Sequence, residues 1–202
     1  MGHPAGDSGA SRTALRRTLW RRRDALSPAA RVAGERLICA ALARSPWLQP
    51  GTSVALYVSR GSEVSTLPLR ALAHSRGCRV YLPRITDFLT HRMAMVRHSG
   101  GSMRLNRYRI DEPSGSAVTK APALDLVLMP LVGFDEAGNR LGNGAGFYDR
   151  FLASRQGMQG APVLVGIGFE CQRIERLHAA AHDVPLDAVI TERGAQFFRW
   201  KY

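Results

Sequence analysis

TSVALYVSRGSEVSTLPLRALAHSRGCRVYLP, residues 52–83, decides the fold. Its first eight residues, 52–59, are apolar and β-branched and lie between Gly51 and Gly61. A short apolar run bounded in this way predicts a buried strand. Residues 66–76 then predict a helix stopped by Gly77, and residues 79–83 (RVYLP) a second strand. Strand, helix and strand make a βαβ unit, which implies a parallel pair with a right-handed crossover.

Outward from this unit, residues 1–11 are small, polar and Gly-rich, the composition of a disordered tail. From Arg12 onward, Ala14, Leu15, Thr18, Leu19, Ala25 and Leu26 recur near helical spacing, with arginine on the other side. Ser27-Pro28 then gives an N-cap followed by proline in the first turn, predicting a second helix to about Arg44. Toward the C-terminus, residues 93–97 form a weaker strand and residues 111–121 are loop-like. Residues 124–130 (LDLVLMP) and 162–169 (PVLVGIGF) predict buried strands, separated by a glycine loop and a helix over 147–155. Two last strands are expected over 187–191 and 196–200. No repeat or linker interrupts this order, so residues 12–202 are expected to form a single α/β domain with a largely parallel sheet.

The chain has 202 residues, 45% of them hydrophobic, which suffices for one domain with a real core. Its net charge is +12, and residues 12–44 alone hold nine arginines against two acids. Such a surface suits an anionic partner: nucleic acid, acidic lipid, or a phosphorylated or polycarboxylate small molecule. Three widely spaced cysteines make a disulfide scaffold improbable and fit a reducing cytoplasm. No apolar run approaches the ~18 residues of a membrane span, and the first residues lack the apolar core of a signal peptide. The Arg-rich stretch mimics a mitochondrial presequence, but its acids and its continuity with the fold argue against one.

Gly138–Arg150, GNRLGNGAGFYDR, carries the chemistry. It follows a buried strand and precedes a helix, where ligands sit in open α/β sheets. Gly142, Gly144 and Gly146 alternate, so the backbone can approach an anion closely and aim N–H groups at it. Arg140 and Arg150 flank the loop with guanidinium forks suited to phosphate. The pattern is neither a Walker A loop nor a Rossmann fingerprint. Asp149 looks misplaced, since a carboxylate there repels phosphate unless a bridging Mg²⁺ intervenes. The bland alternative is a helix N-terminal charge facing water.

Arg12 and Arg16 share a helix face and can grip a triphosphate or a carboxylate tail, whereas Arg17, Arg21, Arg22 and Arg23 are read as facing other ways. Glu63, just past a strand end, can accept from a planar N–H pair on a heterocycle or serve only as helix N-terminal charge. His178 and His182 stand four apart, but nothing nearby completes a zinc site. Cys171 reads as a packed thiol.

Residues 130–150, PLVGFDEAGNRLGNGAGFYDR, match a long family pattern. Arg12-x-x-x-Arg16, SRGSEVST at 59–66, YLPR at 81–84, MAMVR at 93–97, IDEP at 110–113 and HDVPLDAVITE at 182–192 occur in the same family's order. The chain resembles the 5-formyltetrahydrofolate cyclo-ligases, also called 5,10-methenyltetrahydrofolate synthetases. The resemblance implies a NagB/RpiA-like three-layer α/β domain and an ATP- and Mg²⁺-dependent reaction. The formyl oxygen of 5-formyltetrahydrofolate is phosphorylated, the ring closes, and 5,10-methenyltetrahydrofolate, ADP and phosphate result.

By motif, Arg12 and Arg16 should contact ATP, with Arg16 also meeting the substrate. Arg140, Leu141, Gly142, Asn143, Gly144, Ala145, Gly146, Phe147 and Tyr148 should wrap the phosphates. Glu63, Arg60 and Phe147 should contact the folate, which can carry a polyglutamate tail. Arg140, Tyr148 and Glu63 are the expected catalytic groups, and Asp149 with Asp187 the expected Mg²⁺ ligands. Arg12 stands where Lys is common, Arg60 where an apolar residue often lies, Phe147 where Tyr is frequent, and Arg109 where Gly is usual. Nucleic-acid binding would leave the glycine loop unexplained, and a sugar-phosphate isomerase relative would lack nucleotide affinity. Neither nucleic acid nor membrane is expected as a partner.

Overall fold

In the computed structural model the βαβ unit forms, with a shorter first strand than the sequence suggests. Residues 9–153, 162–180 and 183–198 are described. In chain order the elements begin α1 (Gly9–Asp24), α2 (Pro28–Arg44), β1 (Ser53–Ala55), α3 (Leu67–Ser75), β2 (Arg79–Asp87) and β3 (Arg92–Arg97). Then come β4 (Met103–Leu105), β5 (Asp111–Pro113), β6 (Val118–Thr119), β7 (Leu126–Pro130), β8 (Gly133–Phe134) and β9 (Arg140–Leu141). The chain continues through α4 (Phe147–Leu152), β10 (Val163–Ile167), β11 (Ala188–Thr191) and β12 (Gly194–Phe197). Ser27 caps α2 as its sequence predicts, its Oγ accepting from the Ala30 amide at 3.2 Å.

Eight strands form one sheet in the order β12-β11-β10-β7-β1-β2-β3-β6. The five from β11 to β2 are parallel, while β12 pairs antiparallel with β11, β3 with β2 and β6 with β3. Burial on both sides of the parallel strands explains their nearly unbroken apolar runs. Val54, Leu56, Leu126, Leu128, Val165 and Ile167 pack beneath Ile38 and Leu42 of α2 and Leu69 of α3. The alternate residues Ala55, Val127, Met129, Leu164 and Val189 face Phe134, Leu186 and Leu152 of α4. This period of two places one core on each face of the sheet, giving three layers.

Three differences from the sequence reading have local causes. β1 ends at Ala55 because the chain leaves the sheet soon after Leu56, whose amide still reaches Tyr81 O at 2.9 Å. Residues 111–121 contain two short strands, β5 in a hairpin with β4 and β6 on β3, both too short to show a period. The helix expected from Arg12 starts at Gly9.

A third, smaller core docks α1. Leu19 is fully buried with Val132, Leu141 and Leu177. A Cβ on Gly133 would lie 2.6 Å from Leu19 Cδ1, so glycine there admits the helix. Asp135 fixes the adjoining β8–β9 hairpin by accepting from the amides of Ala137, Asn139 and Leu177 at 3.0, 2.9 and 2.8 Å.

Candidate active site

The carboxyl ends of β1, β2 and β7 open into a cavity of about 690 Å³, where Tyr57, Ile85 and Pro130 stand at the wall. From β1 the chain crosses toward β2, and from β7 toward β10. The strand order therefore reverses between β1 and β7, the usual place for a ligand in such sheets.

One wall comes from α1. Arg12, Arg16, Trp20 and Arg23 are spaced by four, four and three, lie on one helix face, and all line the cavity. Opposite runs the loop Gly142–Phe147. Arg16 Nε donates to Gly142 O at 2.8 Å, and Arg150 Nη1 to Ala145 O at 2.6 Å, so two guanidinium groups hold the loop carbonyls. Gly144 has φ +103° and Gly146 φ +69°, backbone that disfavours other residues. Gly144→Ala is expected to weaken binding of an anion at the loop at least about tenfold while lowering stability by only about 1–2 kcal/mol. Calorimetric titration and thermal melting of the same variant check the pair of effects.

The charges are arranged in pairs. Arg140 of β9 is only 7% exposed and forms an ion pair with Asp149 of α4. Arg12 pairs with Asp183 at 2.9 Å. Burial lowers the Arg140 pKa, and the carboxylates of Asp149 and Asp183 oppose that shift. Burial, then the neighbouring Arg12, lowers that of Arg16. Burial, then Glu63, pushes the Tyr148 hydroxyl upward, so it stays a donor. Among the described residues, Arg12 Nε, Arg140 Nε and Tyr148 Oη are buried without a hydrogen-bond partner. An unmet buried polar group costs about 1–3 kcal/mol, and all three atoms belong to residues that line the cavity.

The remaining wall is apolar. Ile85 and Met93 come from β2 and β3, and Tyr108 and Ile110 from the turn before β5. Asn106 builds that turn, its Oδ1 accepting from the amides of Tyr108 and Ile110 at 2.8 and 3.1 Å. Arg109 sits at φ +58°, so it adopts the left-handed backbone that glycine would take without strain. Phe147 meets His91 edge-on at 5.3 Å between centroids. Glu63 enters beside these groups. Its Oε2 accepts from Arg60 N at 3.0 Å, and Asn143 Nδ2 stands 3.5 Å from Oε1. Burial raises its pKa above the ordinary carboxylate value, against the Arg60 amide and the Arg23 charge.

Every residue expected from the family motif lines this cavity except two, and Arg150, a candidate phosphate fork, is also absent from the lining and instead holds Ala145 O. Leu141 is fully buried in the α1 core, so only its backbone belongs to the loop. Asp187 is the other. It stands at the amino end of β11, 3% exposed, with Oδ2 accepting from Leu164 N at 2.8 Å. Asp125 does the same for Ser53 N at 2.7 Å, so both carboxylates secure strand starts. Asp183, four residues earlier, is the acid that the same segment brings to the cavity.

Arg23 was also missed by the sequence reading. It stands eleven residues from Arg12, a spacing that returns to the same helix face. Arg17, Arg21 and Arg22 are exposed as expected. His182 lies outside the described residues, and no cluster of three or more His, Cys, Asp or Glu side chains that could hold a metal occurs among the described ones. Two acids, Asp149 and Asp183, do fit the kind of Mg²⁺ site that one or two carboxylates and substrate phosphates complete together. No helix is long and apolar enough to cross a membrane among the described residues.

The family model of the 5-formyltetrahydrofolate cyclo-ligases matches residues 8–192. The chain belongs to this family. A 5-formyltetrahydrofolate cyclo-ligase of Escherichia coli K12 is 38% identical over 142 residues, covering 69% of this chain and 77% of the relative. The Haemophilus influenzae cyclo-ligase is 38% identical over 137 residues, covering 66% and 72%. The solved 5,10-methenyltetrahydrofolate synthetase of Aquifex aeolicus superposes with a TM-score of 0.80 at 27% identity, covering 95% of this chain and 94% of that one. The three-layer α/β domain is thus the cyclo-ligase fold, and the chain is an enzyme of the cyclo-ligase class, a ligase acting on folate.

Proposed function

We propose that the cavity binds ATP with Mg²⁺ beside 5-formyltetrahydrofolate and closes the folate ring to the 5,10-methenyl product. The observation that carries this reading is the set of unpartnered donors, Arg12 Nε, Arg140 Nε and Tyr148 Oη, on the cavity that the glycine loop also lines. Three such donors and a close-approach backbone suit a polyphosphate rather than a neutral ligand.

Bound ATP and Mg²⁺ supply the phosphoryl group that makes the formyl oxygen a leaving group, and the charge that balances the phosphates. The chain's own residues position and stabilise. Arg12, Arg16 and Arg140 hold anionic oxygens, with residues 141–148 folded around them. Tyr148 donates to an oxygen that gains negative charge. Glu63 accepts from an N–H edge of the folate ring, with Arg60 and Phe147 beside it. Asp149, with Asp183 next to Arg12, would hold the metal. Ile85, Met93, Tyr108 and Ile110 offer an apolar face to the ring and exclude water. When N10 closes the ring it loses its proton, and the formyl oxygen departs with the phosphoryl group.

The test is to incubate the purified protein with 5-formyltetrahydrofolate, ATP and Mg²⁺ and follow the methenyl product by near-ultraviolet absorbance. Product that requires all three supports the reading, and no product across a broad pH range refutes it. The basic surface also suits a polyglutamate tail. A lower KM for polyglutamylated than for monoglutamylated substrate is the expected sign.

Glu63 gives a pH prediction. The ionised carboxylate is the form that accepts from the ring, and burial makes protonation easier than the usual carboxylate value of 4.5 implies. The acidic fall in kcat/KM for the folate should therefore lie above pH 4.5. Glu63→Gln should remove that limb and lower kcat/KM by roughly tenfold or more, as loss of a charged hydrogen bond does. An identical acidic limb in the variant would assign it to another group.

A further inference from the structure

The face of α1 that bears Arg12 and Arg16 also reaches the folate side of the cavity. Arg12 and Arg23 are eleven residues apart, about 16 Å along a helix. At one end Arg16 holds Gly142 O of the glycine loop. At the other, Arg23 is 7% exposed and its Nε donates to Ser62 Oγ at 2.9 Å. Ser62 Oγ in turn donates to Asp24. Arg31 of α2 donates through Nη1 to Ser62 O at 2.7 Å and through Nη2 to Arg23 O at 3.3 Å. Ser65 N donates to Glu35 Oε1 at 2.9 Å.

The segment held in this way is not self-supporting. Within residues 57–65 the backbone makes one hydrogen bond to itself among the described residues, Glu63 N to Arg60 O at 3.1 Å. Tyr57 Oη adds a tie to Val64 O at 2.8 Å. Glu63 lies next to Ser62, in the middle of the clamp; its carboxylate accepts from Arg60 N and stands 3.5 Å from Asn143 Nδ2, and Arg23 lines the same cavity. A loop with few internal bonds samples many conformations unless side chains from packed elements fix it.

We infer that Arg23 is the positioning residue for Glu63, and that α1 is a strut setting the substrate loop at 60–65 in register with the glycine loop at 142–146. The inference rests on the reading that Glu63 faces the folate. It assigns the arginine run on α1 two duties: Arg12 and Arg16 hold the phosphate side, and Arg23 holds the loop on the substrate side.

Arg23→Gln in the full-length enzyme should raise KM for 5-formyltetrahydrofolate about tenfold or more, with KM for ATP within about twofold of the parent. Amide hydrogen exchange across residues 60–65 should accelerate, while exchange across the β7 and β10 core stays unchanged. Ser62→Ala should give the same split at smaller size, and Arg23→Lys should recover part of it. Equal rises in both KM values, or unchanged exchange across 60–65, would overturn the inference. Should Arg23→Gln fail to fold, Ser62→Ala carries the test, because Ser62 is only half-buried. Should the wild type fail to bind 5-formyltetrahydrofolate, the proposed function falls, while the exchange measurement still decides whether Arg23 orders the loop.

Discussion

Asp149→Ala is expected to lower the stability of the ligand-free enzyme by about 3 kcal/mol and its turnover by roughly a hundredfold or more. The two losses share one cause. Arg140 lies in β9 with a side chain only 5% exposed, and Asp149 is its counter-ion. Removing the carboxylate leaves a buried guanidinium without its partner, which costs more than the pair contributed. It also removes the acceptor of the Val184 amide at 3.3 Å. Catalytically, it takes away a carboxylate proposed to hold Mg²⁺ and releases the Arg140 fork from its fixed orientation.

Urea unfolding should show a lower midpoint at unchanged slope, the sign of lost stability rather than an altered unfolded state. Pairing the change with Arg140→Met should restore much of the stability, because no isolated buried charge remains, yet leave the enzyme inactive. A double variant as unstable as Asp149→Ala would show that the destabilisation does not come from the orphaned arginine. Asp149→Asn keeps an acceptor but not the charge, so it should retain more stability and show a weakened dependence of rate on Mg²⁺. An unchanged metal dependence would count against Asp149 as a ligand.

Leu19→Ala should cost about 2–5 kcal/mol, the range for emptying a buried leucine site. Leu19 is fully buried where Gly133 has no side chain, with Val132, Leu141 and Leu177 around it. The site has little freedom to collapse, because the β8–β9 hairpin is fixed by Asp135 and its backbone bonds. The helix it anchors carries Arg12, Arg16 and Arg23, so loosened docking should also reduce ATP affinity. Leu19→Met fills most of the volume and should lose less than about 1.5 kcal/mol. Equal losses for the alanine and methionine variants would mean that packing against Gly133 is not what holds α1.

How much was legible depended on whether the signal was local. The strands at 124–130 and 162–169 announce themselves because both faces are buried, and the helix ending at Arg44 because Ser27-Pro28 caps it. The pairing of β4 with β5 and of β3 with β6 was not legible, since two- and three-residue strands carry no period. In the site, the glycine loop could be read because left-handed backbone selects glycine at Gly144 and Gly146. The choice between Asp183 and Asp187 could not. Both stand in one short segment, and only the position of β11 decides which carboxylate is buried at a strand start and which lines the cavity.

The sequence by itself determined the parallel sheet, the place of the glycine loop after β7, and the family. These follow from local propensity and from residue types that few other sequences place in that order. Tertiary structure alone decided that Arg23 turns inward, unlike its neighbours Arg21 and Arg22, and that Arg140 is buried against Asp149. The physical reason is burial. Helical spacing gives the angle of a side chain around its own axis, but whether that angle meets water or another element depends on how α1 seats on Gly133, a contact made across more than a hundred residues of chain.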